Sequence, residues 1–184
     1  MEKPLAKKIK IGVSSCLLGE SVRWNGGHKL DPCVKELLSR NFECVPVCPE
    51  VEVGMGVPRE PVHLVVDENI HRLVGKVTGN DWTARMTDYS KDKVKKLSDL
   101  SGFIFKEASP SCGIRNIPIH SKDGKIISAL GQGYFAKAFM AAYPIMPAID
   151  EQQLGDESIR EDFIRRALNC YSAKKSLSAE SAEE

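Results

Sequence analysis

The sequence predicts a three-layer, Rossmann-like α/β domain with a mainly parallel sheet. Three observations carry that expectation. Short apolar or β-branched runs at residues 9–15, 42–47 and 101–105 read as buried strands. Segments with one apolar helical face alternate with them. Each of the three runs also ends in a Gly- or Pro-marked loop that carries a cysteine: Cys16, Cys48 and Cys112. Ligands of open α/β sheets bind beyond the carboxyl ends of the strands, so the three thiols point to one shared site.

Taken in order, Ile9, Ile11 and Val13 make the first strand β-branched. Residues 14–19 (S-S-C-L-L-G) leave it as a loop. Residues 22–28 (V-R-W-N-G-G-H) form a second loop, where Asn25, Gly26 and Gly27 tolerate positive φ. Asp31 caps a helix that has Pro32 at its first position and Val34, Leu37 and Leu38 on its apolar face. Residues 49–61, rich in Gly and Pro, read as a long shaped loop. Residues 62–66 and 71–73 read as a small hairpin around Asp67-Glu68-Asn69. Asp81 starts an amphipathic helix to about Leu97, with Trp82, Met86, Tyr89 and Val94 on the buried side. Residues 106–113 (K-E-A-S-P-S-C-G) are turn chemistry. Residues 114–125 read as polar and irregular, residues 133–143 as a helix, and residues 144–149 as an edge strand because of their prolines. Asp156 or Ser158 caps a last helix to about Tyr171. One domain over 1–172 is expected, with a frayed basic lead-in over 1–8 and a disordered low-complexity tail over 173–184.

The 184 residues suffice for a sizeable core, and a net charge of +1 demands neither nucleic acid nor membrane. No apolar run approaches the roughly 18–20 residues of a membrane span. The first residues have no apolar stretch of the signal-peptide kind, so a cytoplasmic location is expected. There the six cysteines stay reduced, and no C-x-x-C pair suggests a zinc ribbon or thioredoxin-type motif. Neither G-x-G-x-x-G nor G-x-x-x-x-G-K-[ST] follows a strand, which removes dinucleotide and P-loop readings.

Cys33, Cys44 and Cys170 fall inside predicted helices or a strand and read as small buried hydrophobes. Cys16, Cys48 and Cys112 differ by their loop positions. Three thiolates without a histidine suit a soft metal, and an iron–sulfur cluster is the natural candidate. A four-iron cluster on three cysteines leaves one iron open as a Lewis acid, whereas a structural zinc wants a fourth ligand. The rival reading makes Cys112 a nucleophile activated by His28, His63, His71 or His120. Glu50 follows Cys48 by two residues and Glu107 precedes Cys112 by five; either can move protons, or be a solvated loop charge. Ser109 and Ser111 flank Pro110 and equally suit turn-hydroxyl roles. Arg23, Asn25, the Gly26 and Gly27 amides, Arg59 and Lys106 are expected at the mouth of the site, where loop amides form anion-binding nests.

The stretches S-S-C-L-L-G with V-R-W-N-G-G, V-C-P-E-V-E-V-G-M-G-V-P-R-E and K-E-A-S-P-S-C-G resemble one bacterial family, long catalogued as a domain of unknown function, that includes the 2-thiouracil desulfidases of TudS type. The resemblance runs from about Ile9 to Ala142, with three motifs in order. It implies a 4Fe–4S cluster on Cys16, Cys48 and Cys112, an acid/base Glu50 and a catalytic Ser109. It also implies substrate contacts among Ser14, Ser15, Arg23, Asn25, Gly26, Gly27, Arg59, Lys106 and Ser111. The implied reaction is a non-redox removal of sulfur from a thiolated base or nucleoside, with sulfide released. Residues 144–166 resemble the linker of longer members, which carry a second domain and act on 4-thiouridine. A 2-thiouracil or 4-thiouridine type of substrate is therefore implied, and RNA-borne thiouridine is compatible with it. The reading from another functional class is an iron–sulfur binding or assembly module without turnover.

Overall fold

A computed structural model of the chain describes residues 8–39, 42–68 and 70–180. The predicted lead-in lies almost wholly outside the described residues, as do Asn69 of the hairpin turn and the last four residues of the predicted tail. Four strands form one fully parallel sheet: β1 (Ile9–Ser14), β2 (Phe42–Val47), β5 (Gly102–Phe105) and β8 (Ala148–Asp150), in the order β2-β1-β5-β8. The other four, β3 (Val62–Asp67), β4 (Ile70–Gly75), β6 (Ile117–His120) and β7 (Ile126–Gly131), form a mixed sheet in the order β4-β3-β6-β7.

The helices cover both faces of the parallel sheet. On one face Ile11, Val13 and Ile104 meet Val34 and Leu37 of α1 (Pro32–Ser39), Leu154 of α5 (Glu151–Leu154) and Phe163 and Ala167 of α6 (Glu157–Glu180). On the other, Phe103 and Phe105 meet Val94 of α3 (Thr83–Lys95) and Phe135 and Phe139 of α4 (Tyr134–Ala142). Residues 103, 104 and 105 alternate between these faces, as a strand requires. The Phe103 and Phe105 rings stack with centroids 4.0 Å apart. Gly12 is dictated by that packing, because a Cβ there would lie 2.3 Å from the Phe103 ring. The predicted three-layer α/β architecture with a mainly parallel sheet is therefore the observed one.

Several local expectations change. Residues 114–125 are not simply irregular: β6 lies within them, and β7 follows where no strand was expected. Ile117 and Ile119 are buried while Pro118 and His120 are only partly so, an alternation too short to be read without its partner β3, some fifty residues away. The long loop after Cys48 begins with one helical turn, α2 (Pro49–Glu52). The hairpin is longer than predicted and the edge strand β8 shorter. Asp31 does cap α1 through the Val34 amide, and Asp156 accepts from the amides of Ser158 and Ile159. The predicted disordered tail is corrected over 173–180, where α6 continues through Glu180. Ala, Lys, Ser and Glu sustain helix well enough once a packed turn precedes them. Lys174 secures that turn through bonds to the carbonyls of Ser98 and Leu100. Among the described residues no helix is long and apolar enough to cross a membrane.

Candidate functional site

Parallel pairing puts all four carboxyl ends of the first sheet on one edge. Ser14 pairs with Val47 and Phe105 with Asp150, so the chain leaves β1, β2, β5 and β8 in one row. A 3-10 turn (Ser15–Leu18) follows β1, Cys48 precedes α2, and the turn holding Cys112 follows β5. Cys16, Cys48 and Cys112 line one cavity of about 350 Å³, within the usual range of ligand pockets. Glu50, Ser109, Ser14, Ser15, Arg23, Arg59 and Lys106 line it too. Cys33, Cys44 and Cys170 do not, and no histidine does, which leaves Cys112 without the activating partner of the nucleophile reading.

The Cys112 turn is held from two sides. Ser109 Oγ accepts from the amides of Ser111 (3.2 Å) and Cys112 (3.0 Å). The first amides of α4 then bond the turn's carbonyls: Tyr134 to Pro110 at 3.1 Å and Phe135 to Ser111 at 3.0 Å. A helix N-terminus has orphan amides, and here the site loop satisfies them. Gly133 is required by this approach, since a Cβ there would sit 2.6–2.8 Å from the Ser111 and Cys112 backbone. Ala108, in the same loop, adopts φ 52°, a conformation that costs a non-glycine residue about 1 kcal/mol or more.

Glu50 is fixed by two partners. Arg59 donates to its Oε2 from Nε (2.9 Å) and Nη2 (2.7 Å), and Ser111 Oγ donates to its Oε1 at 2.9 Å. Both members of the ion pair are largely buried, and Arg59 also donates to the Gly56 and Val22 carbonyls. Arg59, a mouth residue by sequence, is thus the clamp on Glu50, and Ser111 is fully buried beneath it. Lys106 is similarly engaged: its Nζ bonds the Glu107 carbonyl and the Glu151 carboxylate. Ser14 Oγ accepts the Lys106 amide at 2.9 Å. Asn25, Gly26 and Gly27 do not line the cavity, and their loop is closed on itself. The Gly26 amide bonds the Arg23 carbonyl and the Gly27 amide bonds Asn25 Oδ1, which leaves neither free for an anion nest. Sequence reasoning missed Trp24 and Lys29 as lining residues; the signal was there, an aromatic and a cation flanking the motif glycines.

All three cavity thiols favour the protonated form. Burial pushes Cys16 up to about 11, with Cys48 adding to the shift and Lys106 opposing it. Burial also raises Cys48, and it raises Cys112 well above the ordinary thiol range with Glu50 adding to the effect. The sulfurs feel one another's charge, so joint ionisation needs a cation between them. Among the described residues no group of three or more His, Cys, Asp or Glu could hold a single metal ion. One ion would draw its sulfurs to about 4 Å apart through bonds of roughly 2.3 Å; a multi-iron cluster takes them further apart. An all-thiol donor set around an open cavity fits the cluster rather than a lone ion.

Comparison with known proteins agrees with this chemistry. The family model of the 2-thiouracil desulfurases matches residues 11–151. The uncharacterized protein YbbK of Bacillus subtilis (strain 168) is 32% identical over 155 residues, 78% of this chain and 97% of that protein. A solved structure of the 4Fe–4S-dependent thiouracil desulfidase TudS matches with a TM-score of 0.65 at 25% identity, covering 84% of this chain and 99% of that one. The chain belongs to the 2-thiouracil desulfurase family.

Proposed function

We propose that this protein is a 4Fe–4S-dependent desulfidase that converts the thiocarbonyl of a thiolated pyrimidine, of the 2-thiouracil or 4-thiouridine type, to a carbonyl. The carrying observation is the delivery of Cys16, Cys48 and Cys112 by three parallel strands into one cavity that also holds Glu50 and Ser109. Those three thiolates would hold the cluster. When bound, it supplies a soft Lewis-acid site, which favours sulfur over oxygen. The net reaction consumes water and releases sulfide: a C–O bond forms, the C–S bond breaks, and no electrons are exchanged.

The residues have distinct capacities. A carboxylate has about four acceptor sites. Arg59 occupies two on Glu50 and Ser111 a third, so one remains on Oε1 to take the proton from attacking water. Arg59 and Ser111 hold the base still, a geometry that aids general base catalysis. Ser109 Oγ already accepts two amides, so its remaining role is to donate its own proton. That donor stabilises negative charge developing on the substrate. A clamped base and a free donor beside the cysteines favour turnover over an assembly role. The free cysteines suit the reducing cytoplasm, the location we assign to the reaction.

The test is anaerobic cluster reconstitution of wild type and Cys112→Ser, followed by 2-thiouracil and 4-thiouridine, free and RNA-borne, with sulfide measured. Wild type is expected to take up the brown chromophore and release sulfide from at least one substrate, and Cys112→Ser to lose both. A loaded wild type that releases no sulfide from any of them overturns the enzyme reading.

A further inference from the structure

Tyr89 of α3 ends in a hydroxyl that lies near the Glu52 carboxylate without forming a well-made hydrogen bond to it. Its hydroxyl oxygen is buried and has no hydrogen-bond partner. The ring packs against Phe135, with centroids 6.1 Å apart, and borders the core cluster that contains Cys112. It does not line the cavity, and lies on the α3 side of that core cluster. The surroundings are defined by α2. Glu52 accepts the Cys48 amide on Oε1 at 3.1 Å and Lys93, one helical turn beyond Tyr89, on Oε2 at 2.7 Å. Burial, then Glu52, then Cys112 and Cys48 push the Tyr89 phenol upward, so it lies within electrostatic reach of both sulfurs. Glu52 is close to the hydroxyl but makes no well-formed hydrogen bond with it.

Buried hydroxyls are nearly always bonded, and an orphan one calls for a missing acceptor. Protonated thiols are poor acceptors, whereas thiolates on iron are charged ones. We infer that the Tyr89 hydroxyl donates a hydrogen bond to the sulfur ligands on the Cys112 and Cys48 side once the cluster is bound, and so helps set its reduction potential and retention. This rests on the reading that Cys16, Cys48 and Cys112 hold the cluster. Hydrogen bonds to cluster sulfur stabilise the more negative, reduced state and raise the potential.

The test is Tyr89→Phe, which removes one oxygen and keeps the ring. Both proteins are reconstituted anaerobically and titrated with a reductant while the cluster's absorbance is followed. The variant is expected to shift the redox equilibrium about tenfold toward the oxidised cluster, a potential lower by about 59 mV for one electron. It is also expected to lose cluster faster to a chelator. Without cluster the sign differs: the variant should melt no lower than wild type, because the hydroxyl it lacks had no partner. A variant that loads with unchanged potential and retention overturns this inference alone. So does one that weakens the cluster-free protein as much as the loaded one. A wild type that takes up no cluster overturns the underlying reading and this inference with it.

Discussion

Ser109→Ala separates scaffolding from chemistry. The hydroxyl oxygen is the acceptor for two amides, Ser111 and Cys112, and no other acceptor serves either within the turn. Each buried amide left unbonded costs about 1–3 kcal/mol; because the two share one oxygen, the combined loss is taken near the low end, about 2–3 kcal/mol. The amide set loose includes that of Cys112, so the cluster should leave a chelator-challenged Ala variant faster as well. Ser109→Thr keeps the acceptor and should recover most of the stability. Urea denaturation of the cluster-free proteins gives the first quantity, and absorbance decay with chelator the second. An Ala variant within about 0.5 kcal/mol of wild type, the usual range for inconsequential surface changes, would refute the claim that Ser109 holds the turn.

Three other outcomes follow from the same geometry. Glu50→Gln should keep its cluster, since the side chain is not a ligand, yet lose turnover by roughly 100-fold or more in a sulfide-release assay. It should also lose about 3 kcal/mol of stability in denaturant, because Arg59 is left charged, buried and unpaired. Gly133→Ala, ordinarily a mild change at φ −63°, should here cost about 1–3 kcal/mol in thermal or urea unfolding and loosen the cluster, as the new Cβ meets the site backbone. His63 has its pKa lowered by burial first, then by His120 and Lys76. Below about pH 6.5 the unfolded chain takes up a proton there that the folded chain resists, so stability falls with acidification and is regained above that value. Melting curves between pH 7.5 and 5.5 should show a shallower fall in His63→Gln than in wild type.

What the sequence determined by itself was the frame of the site. Buried parallel strands need continuous apolar runs, and these runs end where glycine, proline and serine force the chain to turn. Because parallel strands share one carboxyl edge, the positions of Cys16, Cys48 and Cys112 after three such runs were enough to place them on that edge. The caps at Asp31 and Asp156 were legible for the same local reason, each side chain bonding amides two or three residues on. Long-range pairing was not legible. β6 is four residues long and declares itself only against β3, and β7 is mostly exposed and pairs only with β6. Nor was the assignment of charges: Arg59 is nine residues from Glu50 and Lys106 forty-five from Glu151, and only the folded chain shows that both cations are committed to carboxylates. The hydroxyls divide the same way. The sequence placed Ser109 and Ser111 on either side of Pro110, but their bonds made one a turn acceptor with a proton to give and the other a prop for Glu50. Turn and cap chemistry acts over a few residues and is written in order along the chain. Ion pairing and burial depend on distances through space, which only the packed tertiary structure sets.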